Sequence, residues 1–454
     1  MRAQTTISIQ HARIARFARF TVAVVALVVA LGGLSASARA EPTGNTVTEW
    51  NAIAASATIA TAGQPPHVAP LSLGMVHGAM YDAVNAIDGG HQPYLIAPAA
   101  QPSDSKEAAA ATAAYRVLVG LFPTQQPTLK LRYDASLADV PEGQAKVGGI
   151  AVGEEAATKM LAERADDGRF PVTPFPVVEG TDPGEWRKTP PNFGGDPAPW
   201  VGNVRPFLVP DVEMLRSEGP DALKSAAYAE DYNEVKKIGS LTSTRRTADQ
   251  TAASIFWQDS GPAIWNRVFR QLAASEELDI VESARMFAMT NLASADGVIG
   301  CWNDKYYWNF WRPITAIREG ADDGNPATEA DSGWKPLFNP TDGNGNPIPV
   351  SGPPLVTPGF PDHPSGHGCL SGAIVQTLKA FFGTDKIAFT AESNKCSPAP
   401  CPPRSFDRFS DAIKEVIDAR VWSGIHFRNA DVQGAVLGKK VVSWLDKHFF
   451  QPVN

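Results

Sequence analysis

From Thr48 onward the sequence keeps to the helix period, broken by two long stretches in which Pro and Gly recur every few residues. No region of sustained period-2 alternation competes with it, and no internal repeat is visible. Helices are expected over 48–61, 71–87, 105–121 and 146–164, then 220–238, 248–259, 261–274 and 277–298. A further segment, 302–320, follows almost without a break, and three last helices are expected over 365–382, 406–423 and 430–449. The two punctuated stretches, 170–210 and 321–361, read as loops long enough to wall a pocket. The fold class is therefore all-α, with long Pro/Gly-rich loops. Asp342-Gly-Asn-Gly-Asn346 has the outline of a calcium loop, but Pro353 stands where the twelfth-position Glu is needed, so a turn is expected.

At 454 residues the chain can bury one large core or two ordinary ones. A net charge of −8 argues against a general nucleic-acid binder. The first forty residues have the build of a secretory signal: basic Arg13, Arg16 and Arg19, an apolar run from Thr21 to Leu34, and Ala38-Arg39-Ala40 before Glu41. The apolar run is short for a bilayer span, which needs about 20 residues. The organisation expected is a signal peptide over 1–40, an N-terminal helical region over 41–213 with a cover loop, and a C-terminal helical region over 214–454 carrying the site. No later apolar run is long enough to cross a bilayer, so export to the periplasm or the exterior is expected, with no membrane span after cleavage. There, Cys396 and Cys401 permit a clip around Ser-Pro-Ala-Pro without requiring it. Cys301 and Cys369 come within pairing reach if their neighbouring motifs converge. Neither CxxC nor a Cys/His zinc spacing occurs.

Three islands carry the chemistry: Lys305 to Arg312-Pro313, then Pro364-Ser365-Gly366-His367, then Arg420 to His426. Lys305 and Arg312, seven apart, are expected on one face of a helix, made buried by Tyr306, Tyr307, Trp308, Phe310 and Trp311. Ser365 is placed to cap the following helix, which puts its hydroxyl and the Gly366 N–H where an anion binds. Arg420 and His426 do not share a helical face, but Ser423-Gly424 can end the helix between them and turn both inward. Each island alone has a bland reading: solvated cations, an ordinary N-cap, a loop histidine. Together, three cations, a serine, a glycine and two histidines suit a tetrahedral oxyanion such as phosphate or vanadate. His77, on the early helix, reads as a packed residue rather than a ligand.

In these motifs the chain resembles the vanadium-dependent haloperoxidase and type-2 phosphatidic-acid phosphatase superfamily, whose signature is Lys-x6-Arg-Pro, Pro-Ser-Gly-His and Ser-Arg-x5-His-x3-Asp. The first two parts match outright, and Arg420 and His426 keep the x5 spacing. Ala419 replaces the serine, and four residues rather than three separate His426 from Asp431. Trp302, three before Lys305, and Phe360, in Phe-Pro-x-x-Pro-Ser-Gly-His, resemble the chloroperoxidase-like branch and are candidate substrate-pocket residues. The 75–82 segment also looks like secreted bacterial haloperoxidase-related proteins.

The resemblance implies helical bundles of the vanadium chloroperoxidase type with vanadate as cofactor. His426 would be the axial metal ligand, and Lys305, Arg312, Ser365, the Gly366 N–H and Arg420 would hold the oxygens. His367 would be the acid–base. Vanadium, as a Lewis acid, would activate hydrogen peroxide toward halide, giving hypohalous acid for small organic acceptors. The alternative is an exported phosphatase acting on phosphate esters, with His426 as nucleophile and His367 as acid. The Asp431 spacing then removes the carboxylate that orients the nucleophile, so slow ester turnover is expected. A third reading, an inactive anion-binding scaffold, leaves the two histidines without a purpose.

Overall fold

The structure, a computed structural model, describes residues 44–173 and 175–453. The expected signal segment lies outside them. The N-terminal part holds α1 (Thr46–Ala55), prolonged by a π-helical turn over Ser56–Thr61, then α2 (Ala69–Asp88), α3 (Lys106–Leu121), α4 (Gln126–Ala138) and α5 (Gln144–Glu163). After the first long loop come α6 (Ala226–Ile238), α7 (Ala248–Phe256), α8 (Gly261–Ser275), α9 (Ile280–Trp308) and α10 (Pro313–Glu319). The second loop leads to α11 (Gly366–Phe382), α12 (Phe409–Trp422) and α13 (Arg428–His448). The all-α expectation holds, with one addition. Two three-residue strands, β1 (Phe389–Ala391) and β2 (Arg404–Phe406), pair antiparallel with Phe389 opposite Phe406.

The core is organised by α2 and α9, which pack on each other and are buried on nearly every face. A helix apolar all round belongs in the centre of a bundle. α9 begins with an Asp279/Glu282 capping box and is about 43 Å long, so one rigid element reaches from the bundle to the site. Two buried aspartates fix loops to this pair. Asp82 on α2 accepts the backbone N–H groups of Tyr94, Leu95 and Ile96, and Asp296 on α9 accepts those of Phe207, Leu208 and Val209. The second grip lashes the end of the 170–210 cover loop to the helix that carries Lys305.

α11 and α13 cross closely through glycines. A methyl on Gly368 would lie 2.6 Å from Asp431 O, and one on Gly372 2.7 Å from the Ala435 Cα. From the other side, a methyl on Gly434 would lie 2.7 Å from Ser365 O. Ser365 also donates its N–H to Ala430 O, so the start of α11 is seated on the start of α13.

Several expectations are corrected. α4 was not foreseen. The 302–320 segment is two helices: Asn309 takes a left-handed conformation at φ 46°, and Pro313 opens α10. Lys305 and Arg312 therefore do not share one helical face. The reason is non-local, because the cover loop captures the break, with Trp186 N–H donating to Asn309 O and Trp311 N–H to Gly184 O. Cys396 and Cys401 form a disulfide, whereas Cys301 and Cys369 are buried free thiols, Cys301 Sγ facing Pro364 O. The 342–346 segment is a turn in which Asp342 accepts the N–H groups of Asn344 and Asn346. His77 is fully buried against Asn51, as expected of a packed residue. Among the described residues no helix is long and apolar enough to cross a membrane.

Candidate anion and active site

The three islands converge although they arrive on different elements. Lys305 comes from the last turn of α9, and Arg312 from the extended residue that precedes α10. Ser365 caps α11, its hydroxyl accepting the Gly368 N–H, so the Gly366 N–H lies in the first turn, where the helix dipole favours an anion. Arg420 ends α12. Gly424, at φ 76° and packed against Gly239 O, then reverses the chain and delivers His426 just before α13. A side chain at Gly424 would be both strained and obstructed.

All three cations are essentially fully buried, as are Ser365 and His426. Buried cations without counter-charge are costly, and burial pulls Lys305 down to about 8 and Arg312 and Arg420 to about 10. Burial, reinforced by these cations, also holds His367 and His426 well below their ordinary values, so both rings are neutral here.

The donors are not equally free. Lys305 spends its ammonium on the carbonyls of Pro361, Asp362 and Pro364, which is all the hydrogen-bonding capacity it has. It therefore pins the loop before α11 and lends charge, without a spare N–H. Arg312 donates Nε to Phe360 O at 2.9 Å and Nη1 to Ile425 O at 2.8 Å, with Nη2 buried and unpartnered. Arg420 reaches Gln258 Oε1 at 3.2 Å, and its Nε is likewise unpartnered. His367 bonds the Trp257 backbone through one ring nitrogen, and Nε2 is left without a partner. Unpartnered buried polar groups are uncommon and costly, and Arg312 Nη2, Arg420 Nε and His367 Nε2 are three of those in this protein. The set fits an oxyanion such as vanadate.

One functional residue was missed. Asp362, fully buried, places Oδ1 2.8 Å from His426 Nδ1, at ion-pair distance although not aligned as a hydrogen bond. Arg312 Nη1 lies 3.1 Å from the other ring nitrogen, Nε2. A carboxylate beside Nδ1 and an N–H donor beside Nε2 favour the tautomer whose lone pair is on Nε2, the form that serves as ligand or nucleophile. Burial pushes Asp362 up to about 7 against the pull of Arg312 and Lys305. Asp431 is also buried, but among the described residues its carboxyl is tied to Ser365 and Arg420, and the ion-pair contact to His426 comes from Asp362. The expectation that His426 lacks an orienting carboxylate is thereby corrected. The carboxylate comes from the Phe360-Pro361-Asp362-His363 segment, 64 residues upstream of His426. Nothing in the spacing links the two.

Trp302 and Phe360 face the same space. They line a cavity of about 270 Å³ together with His67, His367, Arg420 and His426. Their rings are 5.1 Å apart, and the Phe360 ring lies 5.1 Å from both Lys305 Nζ and the Arg312 guanidinium.

Residues 285–454, which include all three islands, match the family model of the VCPO second helical-bundle domain. Over that stretch the chain is similar to vanadium chloroperoxidases. A vanadium chloroperoxidase from Curvularia inaequalis is 26% identical over 393 residues, which cover 71% of this chain. The matched stretch spans 63% of that relative's length. A bacterial vanadium-dependent iodoperoxidase structure superposes with a TM-score of 0.72 at 23% identity, over 90% of this chain and 97% of that one. A holo-type bacterial vanadium-dependent chloroperoxidase gives 0.62 at 16% identity, over 87% and 94%. These two likenesses show that the chain shares their fold.

Proposed function

We propose that this chain is an exported vanadate-dependent haloperoxidase, oxidising halide with hydrogen peroxide to hypohalous acid that reaches small organic acceptors. The observation that carries the reading is the pair of buried, unpartnered donors on Arg312 and Arg420, with the free ring nitrogen of His367, beside a His426 whose Nε2 is kept as a lone pair. His426 Nε2 would hold vanadium, and Arg312, Arg420, Ser365 and the Gly366 N–H would hold its oxygens. When bound, vanadate supplies a Lewis acid that polarises peroxide without changing oxidation state. The chain's own part is preorganisation. Its cations offset negative charge in a shielded pocket, and His367, anchored on Trp257, presents Nε2 to take and return a proton. Lys305 holds the loop and contributes long-range charge. Trp302 and Phe360 wall the approach. The test is peroxide-driven halide oxidation by the purified protein, measured with and without added vanadate.

A second reading, phosphate-ester hydrolysis, is favoured by Asp362. A carboxylate beside the distal nitrogen of a histidine is what a His nucleophile needs. Hydrolysis in vanadate-free buffer tests it.

A further inference from the structure

The far end of α13 carries a groove that the motifs do not touch. Trp444 stands sixteen residues beyond Arg428, so about 24 Å of helix separates it from the end that follows His426. The groove encloses about 350 Å³ between α13 and the 3-10 turn Val212–Leu215. Val209 and Leu215, 4% and 1% exposed, form its floor. Met214 and Val436, 48% and 41% exposed, form an apolar rim, and Trp444 closes one side. The floor is fixed from beneath by α9, where a methyl on Gly300 would lie 2.7 Å from Leu215 Cδ1. Trp444 is held in turn by stacking on His448, ring centroids 3.8 Å apart and planes 15° from parallel.

The rest of the lining is cationic: Lys439, Lys440 and Lys447, with His448 beside them and no carboxylate. Val436, Lys440, Trp444 and Lys447 follow one another at intervals of four, four and three residues, so they share one face of the helix. Lys440 donates to Arg216 O at 2.6 Å and keeps two further N–H donors. Lys439 and Lys447 have no carboxylate partner among the described residues. Cations in a last turn complement the helix dipole, which accounts for Lys447 and His448. It does not account for Lys439 and Lys440, about two turns earlier. In a chain whose net charge is −8, three lysines around an apolar floor are a local reversal of charge.

A concave apolar floor under convergent charges is the make-up of a small-molecule site, and here the charges select an anion. An inorganic anion would leave the floor unused. A bilayer surface, being flat, would meet Met214 and Val436 but not the recessed Val209 and Leu215. We infer that this groove binds one free organic acid, its apolar tail against Val209, Leu215 and Trp444 and its carboxylate among Lys439, Lys440 and Lys447. The ligand lies at the opposite end of α13 from the oxyanion cradle, so the inference stands independently of the haloperoxidase reading.

The test compares decanoate, decanol and decyltrimethylammonium, which share a tail and differ in the charge of the head, each titrated calorimetrically into the purified protein. Decanoate is expected to bind once per chain, at least tenfold tighter than the other two, and less tightly as salt is raised. Equal affinities for decanoate and decanol overturn the inference. The double variant Lys439→Gln with Lys447→Gln changes two exposed side chains and is expected to melt like wild type. It should bind decanoate at least tenfold more weakly, and Val436→Asp on the exposed rim should do the same, while vanadate affinity stays within twofold in both. Unchanged decanoate affinity in the folded double variant refutes the site. In crystals soaked with ω-bromodecanoate, an anomalous peak between Leu215 and Trp444 is expected, and bromine bound only elsewhere contradicts the assignment. Co-sedimentation with phosphatidylglycerol vesicles that the double variant loses, in a protein that binds no decanoate, gives the lysines to a membrane surface instead and overturns the proposal.

Discussion

Replacing Gly434 by Ala probes how the helix crossing positions the site. The added methyl would stand 2.7 Å from Ser365 O, 3.0 Å from Cys369 N and 3.2 Å from the Gly368 carbonyl carbon, all backbone atoms that cannot rotate away. Comfortable contact needs about 3.5 Å, so the start of α11 must retreat from α13 by roughly half an ångström or more. Overpacking of this kind costs about 1–3 kcal/mol, and the better helix propensity of Ala returns about 1 kcal/mol. Net stability should fall by only about 0–2 kcal/mol. The site is far less tolerant, because Ser365 and the Gly366 N–H ride on the displaced end and such constellations must hold to about 0.5 Å. Vanadate affinity is therefore expected to drop about tenfold, equivalent to about 1.4 kcal/mol. Calorimetric titration with vanadate and a thermal melt on the same sample measure both. A variant as stable as wild type with unaltered affinity would show that the glycine crossing does not set the site's geometry.

Asp362→Asn removes the charge beside His426 Nδ1 and should weaken vanadate binding by about 10–100-fold, the range for residues that orient a metal-binding histidine; equal affinities by titration would make the 2.8 Å contact incidental. Arg420→Ala should cost about 1.5–3 kcal/mol of vanadate binding, and Arg420→Lys should recover only part, because a planar fork is lost; full recovery by Lys in the same titration would contradict this. Lys305→Met should act chiefly on stability, leaving three buried carbonyls unpartnered at a total of about 3 kcal/mol or more, and denaturant unfolding reads it directly. A Met variant that unfolds like wild type while losing vanadate would return Lys305 to the oxyanion.

The helical class, most element positions and the convergence of the three islands were legible because they are local or carried by motif. Ser365 as N-cap and the reversal at Gly424 needed only turn and capping chemistry. What escaped was set by distant partners. α4 buries only Leu129, Tyr133 and Ser136 and starts beside Pro127, so its apolar stripe is too thin to announce a helix. Three-residue strands are too short for a period-2 signal. The break between Lys305 and Arg312 depends on pairing with residues 184–186, and the carboxylate on His426 arrives from a loop rather than from the α13 aspartate. Spacing placed Asp431 close to the role, and packing gave it to Asp362.

The buried cations, Nε2 of His426 and His367 are proposed to form one vanadate site serving peroxide chemistry. The most direct measurement is halide oxidation by hydrogen peroxide in purified, vanadate-stripped protein titrated with vanadate, with phosphate-ester hydrolysis followed in the stripped sample. Halide oxidation that is absent before titration, saturates at one vanadate per chain and is abolished together with vanadate retention in His426→Ala is the predicted result. A wild-type protein that binds vanadate but oxidises no halide, while turning over phosphate esters efficiently, would contradict it.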